Sequence, residues 1–176
     1  MDKPEHIPAV DGGAITRHLT LADLPEVCRL QARVFGPGRF ARTAYRIREG
    51  TPQVSPFCRG AFIGPSLIAS LRMTPVAIGA SRPHLLLGPL AVAPEFSGQG
   101  FGRRLIAEAL SDGKAHGMGI VTLVGDLPYY GRFGFAPVRP GTIHFPGPVN
   151  PSRVLACELT PGTLAAATGL VTAIDV

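Results

Sequence analysis

The stretch Val92-Ala93-Pro94-Glu95-Phe96-Ser97-Gly98-Gln99-Gly100-Phe101-Gly102-Arg103-Arg104-Leu105 decides how the rest of this sequence is read. An apolar strand ends in it, a glycine-rich turn follows, and an amphipathic helix begins. Glycines at the alternate positions 98, 100 and 102 leave a run of backbone N–H groups uncovered by side chains. The helix start adds its own unpaired N–H groups and the positive end of its dipole. Together they form an anion cradle suited to a phosphate.

Upstream, residues 84–93 (His84-Leu85-Leu86-Leu87-Gly88-Pro89-Leu90-Ala91-Val92-Ala93) are almost continuously apolar, as in a strand covered on both faces. Gly88-Pro89 in its middle fits a bulge, where the ladder is broken and backbone groups are free to bond something else. Downstream, a helix over about 100–116 carries Phe101, Leu105, Ile106, Ala109 and Leu110 on one face, with Gly117 as its stop. Ile120-Val121-Thr122-Leu123-Val124 follows as a short buried strand. Strand, glycine turn, helix and strand in that order predict a right-handed crossover between parallel strands.

The flanks read less sharply. Residues 14–18 predict a first strand. Thr20 predicts an N-cap with Asp23 as its capping-box partner. Leu24, Val27, Leu30, Val34 and Phe35 recur at near-helical spacing up to Gly36-Pro37-Gly38. A weakly patterned second helix falls at about 40–48. Residues 60–63 and 66–73 flank Gly64-Pro65 as a hairpin. A short helix over 127–133, an extended piece over 135–138, a Pro- and Gly-rich loop over 139–152 and a late strand over 154–159 complete the pattern. Thr163 to Val176 holds small apolar residues and no clear chemistry.

The bulk properties narrow the function classes. A length of 176 residues with 45% hydrophobic content predicts one folded domain, residues 1–176. The net charge is +5, but the Lys and Arg are scattered, with no dense basic run interleaved with aromatics. That weighs against a nucleic-acid partner and suits an anionic small molecule. Cys28, Cys58 and Cys157 match neither a disulfide framework nor a zinc pattern. The histidines have no metal spacing. Met1-Asp2-Lys3-Pro4-Glu5-His6 is too polar for a signal peptide, and no run reaches the length of a membrane span. The expectation is a cytoplasmic protein with no membrane partner.

Which phosphate-bearing molecule the cradle holds is narrowed by elimination. A Walker loop needs Lys-Ser or Lys-Thr after its last glycine, where this chain has Arg103-Arg104. The dinucleotide fingerprint needs a third glycine where Arg103 stands. The segment instead resembles the coenzyme A loop of the GNAT superfamily of N-acetyltransferases: Arg or Gln, two residues, Gly, one residue, then Gly or Ala, after a strand ending Val-x-Pro. Here Ser97-Gly98-Gln99-Gly100-Phe101-Gly102 follows Val92-Ala93-Pro94, with Ser97 departing from the usual Arg or Gln. Asp126-Leu127-Pro128-Tyr129-Tyr130-Gly131-Arg132-Phe133-Gly134-Phe135 resembles the second cofactor motif of the same family, Tyr-x-x-x-Gly-Phe, with Tyr130 at the tyrosine.

The resemblance implies a mixed α/β fold with a central twisted sheet, splayed central strands and flanking helices. It implies acetyl-CoA as co-substrate and transfer of its acetyl group to a primary amine by direct attack. Leu90, Ala91 and Val92 would lend backbone groups to the pantetheine arm, and the Val92 N–H would face the thioester oxygen. Ser97, Gly98, Gln99, Gly100, Phe101, Gly102 and Arg103 would hold the pyrophosphate. Tyr130 would both line the cofactor and protonate the leaving thiolate, with Tyr129 as the second candidate. His84 and Glu95 are the candidate bases. Residues 36–58 and 139–152 would choose the acceptor. The alternative from another class is a coenzyme A-binding module without catalysis. Longer acyl donors and hydroxyl acceptors also stay open, as does the oligomeric state.

Overall fold

The computed structural model describes residues 13–38 and 43–176. The polar stretch 1–6 and the first residues of the expected second helix lie outside them.

The described elements, in order, are β1 (Ala14–His18), α1 (Leu24–Phe35), α2 (Thr43–Arg48), β2 (Arg59–Ile63), β3 (Ser66–Ile78), β4 (Ser81–Val92), α3 (Phe101–Ala115), β5 (Ile120–Val124), α4 (Leu127–Tyr130), β6 (Ala136–Pro137), β7 (Ile143–His144), β8 (Val154–Glu158), α5 (Thr163–Ala166) and β9 (Gly169–Ala173). The main sheet runs β1-β2-β3-β4-β5-β8-β6. All its neighbours are antiparallel except β4 and β5, the pair joined through α3.

The expected Thr20–Asp23 capping box is present: the Asp23 carboxylate accepts the Thr20 backbone N–H at 2.8 Å. Gly36, at φ 67°, ends α1 and returns its N–H to the Ala32 carbonyl.

β3 is longer than the hairpin pattern alone predicts, and its length sets the topology. Along one edge its first half pairs with β2 and its last three residues, Val76–Ile78, pair with β9; β4 covers the other edge. The tail that reads as featureless in the sequence therefore closes the sheet as β9, which also takes β7 as a parallel partner. Gly79 and Gly169 permit that approach, since a Cβ on Gly169 would stand 2.7 Å from the Gly79 Cα. Such a contact is set by tertiary packing and leaves no local sequence pattern.

Two layers cover the sheet. On one face, α3 buries Phe101, Leu105, Ile106 and Ala109 against Leu71, Met73, Leu85, Leu87, Val121 and Leu123. On the other, α1 sets Val27 and Leu30 against Leu67, Ala91 and Ala93. The sheet's first two strands are also tied to α3 by charge. Arg59 reaches Glu108 at 2.7 Å and Asp112 at 2.6 Å, while Thr16 and Arg104 donate to Glu108. Burial pushes the Glu108 carboxyl up, but those donors outweigh it and hold the group below its ordinary value.

Leu105 is fully buried between α3 and the sheet. Replacing it with Ala is expected to cost about 2–5 kcal/mol, read as a lower denaturation midpoint with an unchanged m-value.

Candidate active site

The site is built on the bulge in β4. Leu71 pairs with Leu90 and Met73 with Leu87, so the single residue Arg72 stands opposite both Gly88 and Pro89. One extra residue reverses the alternation of the strand. Before the bulge, Leu85 and Leu87 face α3 and Leu86 faces the other layer. After it, Leu90 and Val92 lie against Gly102 of α3, while Ala91 and Ala93 face α1.

The bulge coincides with the loss of pairing to β5. The two strands pair only at Leu85–Val121 and Leu86–Thr122, and β4 then continues to Val92 without a β5 partner. This is the expected splay. The Ala93 N–H bonds the Ile68 carbonyl at 2.8 Å. Because antiparallel partners alternate between bonded and non-bonded pairs, the backbone groups of Leu90 and Val92 point away from β3 into the splay. Those of Ala91 point toward β3. Of the three residues expected to lend backbone groups, Leu90 and Val92 are thus placed to do so, and Ala91 contributes a small side chain under α1.

The glycine loop crosses the open end of the splay. Gly98 and Gly100 take φ of 76° and 87°, a left-handed conformation that side chains disfavour. Gly100 is the N-cap of α3. The first bond of the helix runs from the Arg104 N–H to the Gly100 carbonyl at 2.9 Å. The N–H groups of Phe101, Gly102 and Arg103 therefore have no partner within the helix, and they sit at the positive end of its dipole.

Side chains in the loop divide by role. Phe101 is buried, edge-on to Phe96 at 6.1 Å, so it offers the loop only its backbone. Gln99 donates its amide to the Glu95 carbonyl, and Arg104 pairs with Glu108. Ser97 and Arg103 are exposed, and Arg103 has no ion pair among the described residues.

The second expected motif forms α4 and a following 3-10 turn over Gly131–Phe133. It places two tyrosines side by side, their rings 4.9 Å apart and nearly perpendicular. The Tyr129 hydroxyl reaches the first turn of α3, and a Cβ on Gly102 would stand 3.0 Å from it. Tyr130 turns inward: its ring lies on Gly125, where a Cβ would come within 2.6 Å of Cε2, and meets Phe135 at 5.8 Å. Burial, with smaller contributions from Tyr129 and Asp126, pushes the Tyr130 phenol up to about 12. Burial also raises Tyr129, against the nearby Arg132 and Arg103.

Neither candidate base stands at the splay. His84 is buried at the far end of β4, its Nε2 2.9 Å from Ser81 Oγ and its ring packed against Gly119. Burial lowers its pKa. Glu95 is held by Arg33 in a two-bonded ion pair of 3.0 and 2.8 Å. A lone residue type gives no sign of either fate: Glu95 depends on Arg33, distant in the sequence, and His84 on the closing of Gly119 against its ring.

An open splay between parallel strands, a glycine cradle at its mouth and a half-buried phenol in the following motif agree with comparisons to known proteins. The family description "Acetyltransferase (GNAT) domain" matches residues 16–138. The chain belongs to the GNAT acetyltransferases. It is 31% identical over 149 residues to the uncharacterized N-acetyltransferase YjhQ of Escherichia coli, covering 81% of each chain. Its fold superimposes on the GNAT family N-acetyltransferase YhbS of Escherichia coli in complex with CoA, at a TM-score of 0.75 and 26% identity, over 97% of this chain and 94% of that one. A GNAT family acetyltransferase of Brucella melitensis in complex with acetyl-CoA matches at a TM-score of 0.61 and 26% identity, over 81% of this chain and 94% of that one. The protein is an acetyl-CoA-dependent N-acetyltransferase, with a mixed α/β fold.

Tyr130 is expected to stay protonated up to about pH 11. In an ultraviolet titration, the difference between wild type and Tyr130→Phe should show no phenolate absorbance below that pH, given a folded-state pKa of about 12. A rise near pH 10, the ordinary tyrosine value, would place the ring in water.

Proposed function

We infer that the protein forms a single domain that transfers an acetyl group from acetyl-CoA to a primary amine by direct attack. The observation that carries this reading is the coincidence of the β4 bulge with the end of β4–β5 pairing. It leaves Leu90 and Val92 backbone groups facing the unpaired side of β4, in the strand that leads directly into the α3 cradle.

In this reading the unpaired N–H groups of Phe101, Gly102 and Arg103, with the turn at Gly98 and Gly100, hold the pyrophosphate. A favourable charge at one helix start is worth about 0.3–1 kcal/mol when exposed and up to about 2 when partly buried, so several donors share the task. Arg103, uncommitted to an ion pair among the described residues, adds a cation. Ser97 adds a hydroxyl in place of a longer donor. Leu90 and Val92 bond the pantetheine arm as a further strand would, and the Val92 N–H stabilises the negative charge that grows on the thioester oxygen.

The amine nitrogen attacks the thioester carbon, the C–S bond breaks, and the amine loses one proton while the thiolate gains one. Much of the acceleration comes from holding the two reactants together. Tyr130 acts on the sulfur. Full proton donation from a phenol near pKa 12 to a thiol near 8.5 is uphill by roughly 5 kcal/mol. Tyr130 therefore works by keeping a hydrogen bond on the sulfur as its charge develops. The proton that finally rests on CoA is matched by the one released from the amine. Tyr129, at the α3 helix start, buttresses the cradle. Three cysteines without a disulfide suit a reducing, cytoplasmic setting, and no helix among the described residues is long and apolar enough to cross a membrane.

The first test is thermal unfolding with acetyl-CoA. Ligand at about 100 times its dissociation constant adds about 2.7 kcal/mol, a rise of roughly 5–10 °C for a chain of this size, absent with ADP or NAD. Release of free CoA thiol in an amine screen then reads transfer. Tyr130→Phe should lower kcat by about 100-fold and change the acetyl-CoA shift far less. Equal turnover would remove Tyr130 from the chemistry. A shift without transfer to any amine would favour a coenzyme A-binding module.

A further inference from the structure

β3 is apolar over most of its length, but three alternate residues, Ser70, Arg72 and Thr74, are polar. Alternation puts them together on the α1/α2 face, since Ala69, Leu71 and Met73 lie in the core under α3. Arg72 is the residue opposite the bulge.

A second arginine meets it there. Arg48, the last residue of α2, is only 6% exposed. Its Nε donates to Thr74 Oγ1 at 3.3 Å and its Nη2 donates to the carbonyl of Gly88, the first residue of the bulge. Arg72 donates to Thr51 Oγ1 at 3.3 Å and to the Pro52 carbonyl at 3.1 Å. Every one of these partners is neutral. Among the described residues neither arginine has a carboxylate in ion-pair range, although eight ion pairs form elsewhere.

Buried charge is costly unless it is paired. Burial, and then the positive charge of Arg72, pushes the Arg48 guanidinium down to about 9; burial also lowers Arg72. The same face holds another unsatisfied group: the buried Ser70 hydroxyl has no hydrogen-bond partner. It lines a small cavity of about 30 Å³ with Arg72, Gln31 and Gln53. A second cavity, of about 130 Å³, opens beside Thr51 and Thr74 but carries Asp175 and Val176 on its wall, and Arg48 lines neither cavity.

We propose that Arg48 and Arg72 form an anion site that selects, as the acetyl acceptor, a small amine carrying a carboxylate. Two guanidiniums without a counter-ion and an orphaned hydroxyl are the donor set a carboxylate satisfies, with a planar fork as its natural partner. Of the two cavities, only the one beside Ser70 and Arg72 has no acidic residue on its wall, and it is the one that marks the site. The site also borders the bulge, so a carboxylate held there keeps the amine of an amino-acid-like molecule near the place where β4 opens. This inference rests on the acetyl-transfer reading above and names the acceptor class for it.

The test uses the full chain saturated with CoA, to which each free amino acid and its carboxamide are added as matched pairs. Thermal shift reads binding, and acetyl-CoA turnover reads transfer. Phosphoethanolamine against ethanolamine tests phosphate as the anion. The free amino acids should bind and react at least tenfold better than their amides. Arg72→Gln should collapse that ratio toward one, chiefly through a higher KM for the carboxylate acceptors, while the acetyl-CoA shift persists. Arg72→Lys should recover part of it. Amides used as well as acids, a preference for phosphoethanolamine, or an Arg72→Gln loss equal for charged and neutral acceptors would each overturn the proposal. Transfer to amides alone would leave the acetyl-transfer reading standing; no transfer to any amine, with acetyl-CoA still bound, would overturn both.

Discussion

One extra residue in one strand organises this molecule. At Gly88-Pro89 two residues of β4 stand against Arg72 alone, and three consequences follow. The strand changes which face its side chains cover. Its hydrogen bonds to β5 stop two residues earlier. Its liberated backbone points into the opening. A regular β4 would continue the ladder to β5 and leave no channel. Had the strand kept its phase, Leu90 and Val92 would face α1, and Ala91 and Ala93 would face α3. The small Ala91 and Ala93 under α1, and the larger Leu90 and Val92 under Gly102, each suit the phase the bulge creates.

Around that opening the chain arranges contrasting environments. At its mouth the α3 start is glycine-rich, and its donors are left unpaired within the helix. Alongside lies Tyr130, shielded by Gly125 and Phe135 until its phenol holds its proton well past neutrality. On the opposite face sit two arginines with only neutral partners. The remaining strong ion pairs, such as Arg59 with Glu108 and Asp112, lie on the outer strands and fasten α3 in place.

Much of this was legible in the sequence, and the limits have physical causes. The glycine loop, the bulge and the α3 and β5 elements are written in local chemistry: alternate glycines, a Gly-Pro pair inside an apolar run, and residues at helical spacing. Tyr130 is legible through its motif. Arg48 and Arg72 carry no local signal because their meaning lies in a meeting of β3, α2 and the bulge, and each alone reads as an ordinary arginine. β9 was missed for a related reason: its partner strand is nearly a hundred residues away, and its own residues are small and weakly patterned. His84 and Glu95 read as candidate bases from local sequence, which does not show the Gly119 and Arg33 that meet them in the fold.

The contact between Gly102 and the Tyr129 hydroxyl links two segments that are separate in the sequence. Between them run most of α3 and all of β5, yet in space a Cβ at position 102 would stand 3.0 Å from the hydroxyl at 129. Drift at the two positions is therefore coupled. A methyl at 102, the alanine that the coenzyme A loop also accepts, would ask the flexible end of Tyr129 to give by a few tenths of an ångström. The sizes of the residues at 102 and 129 are linked, which makes this pair of positions a place to look for correlated substitution among relatives.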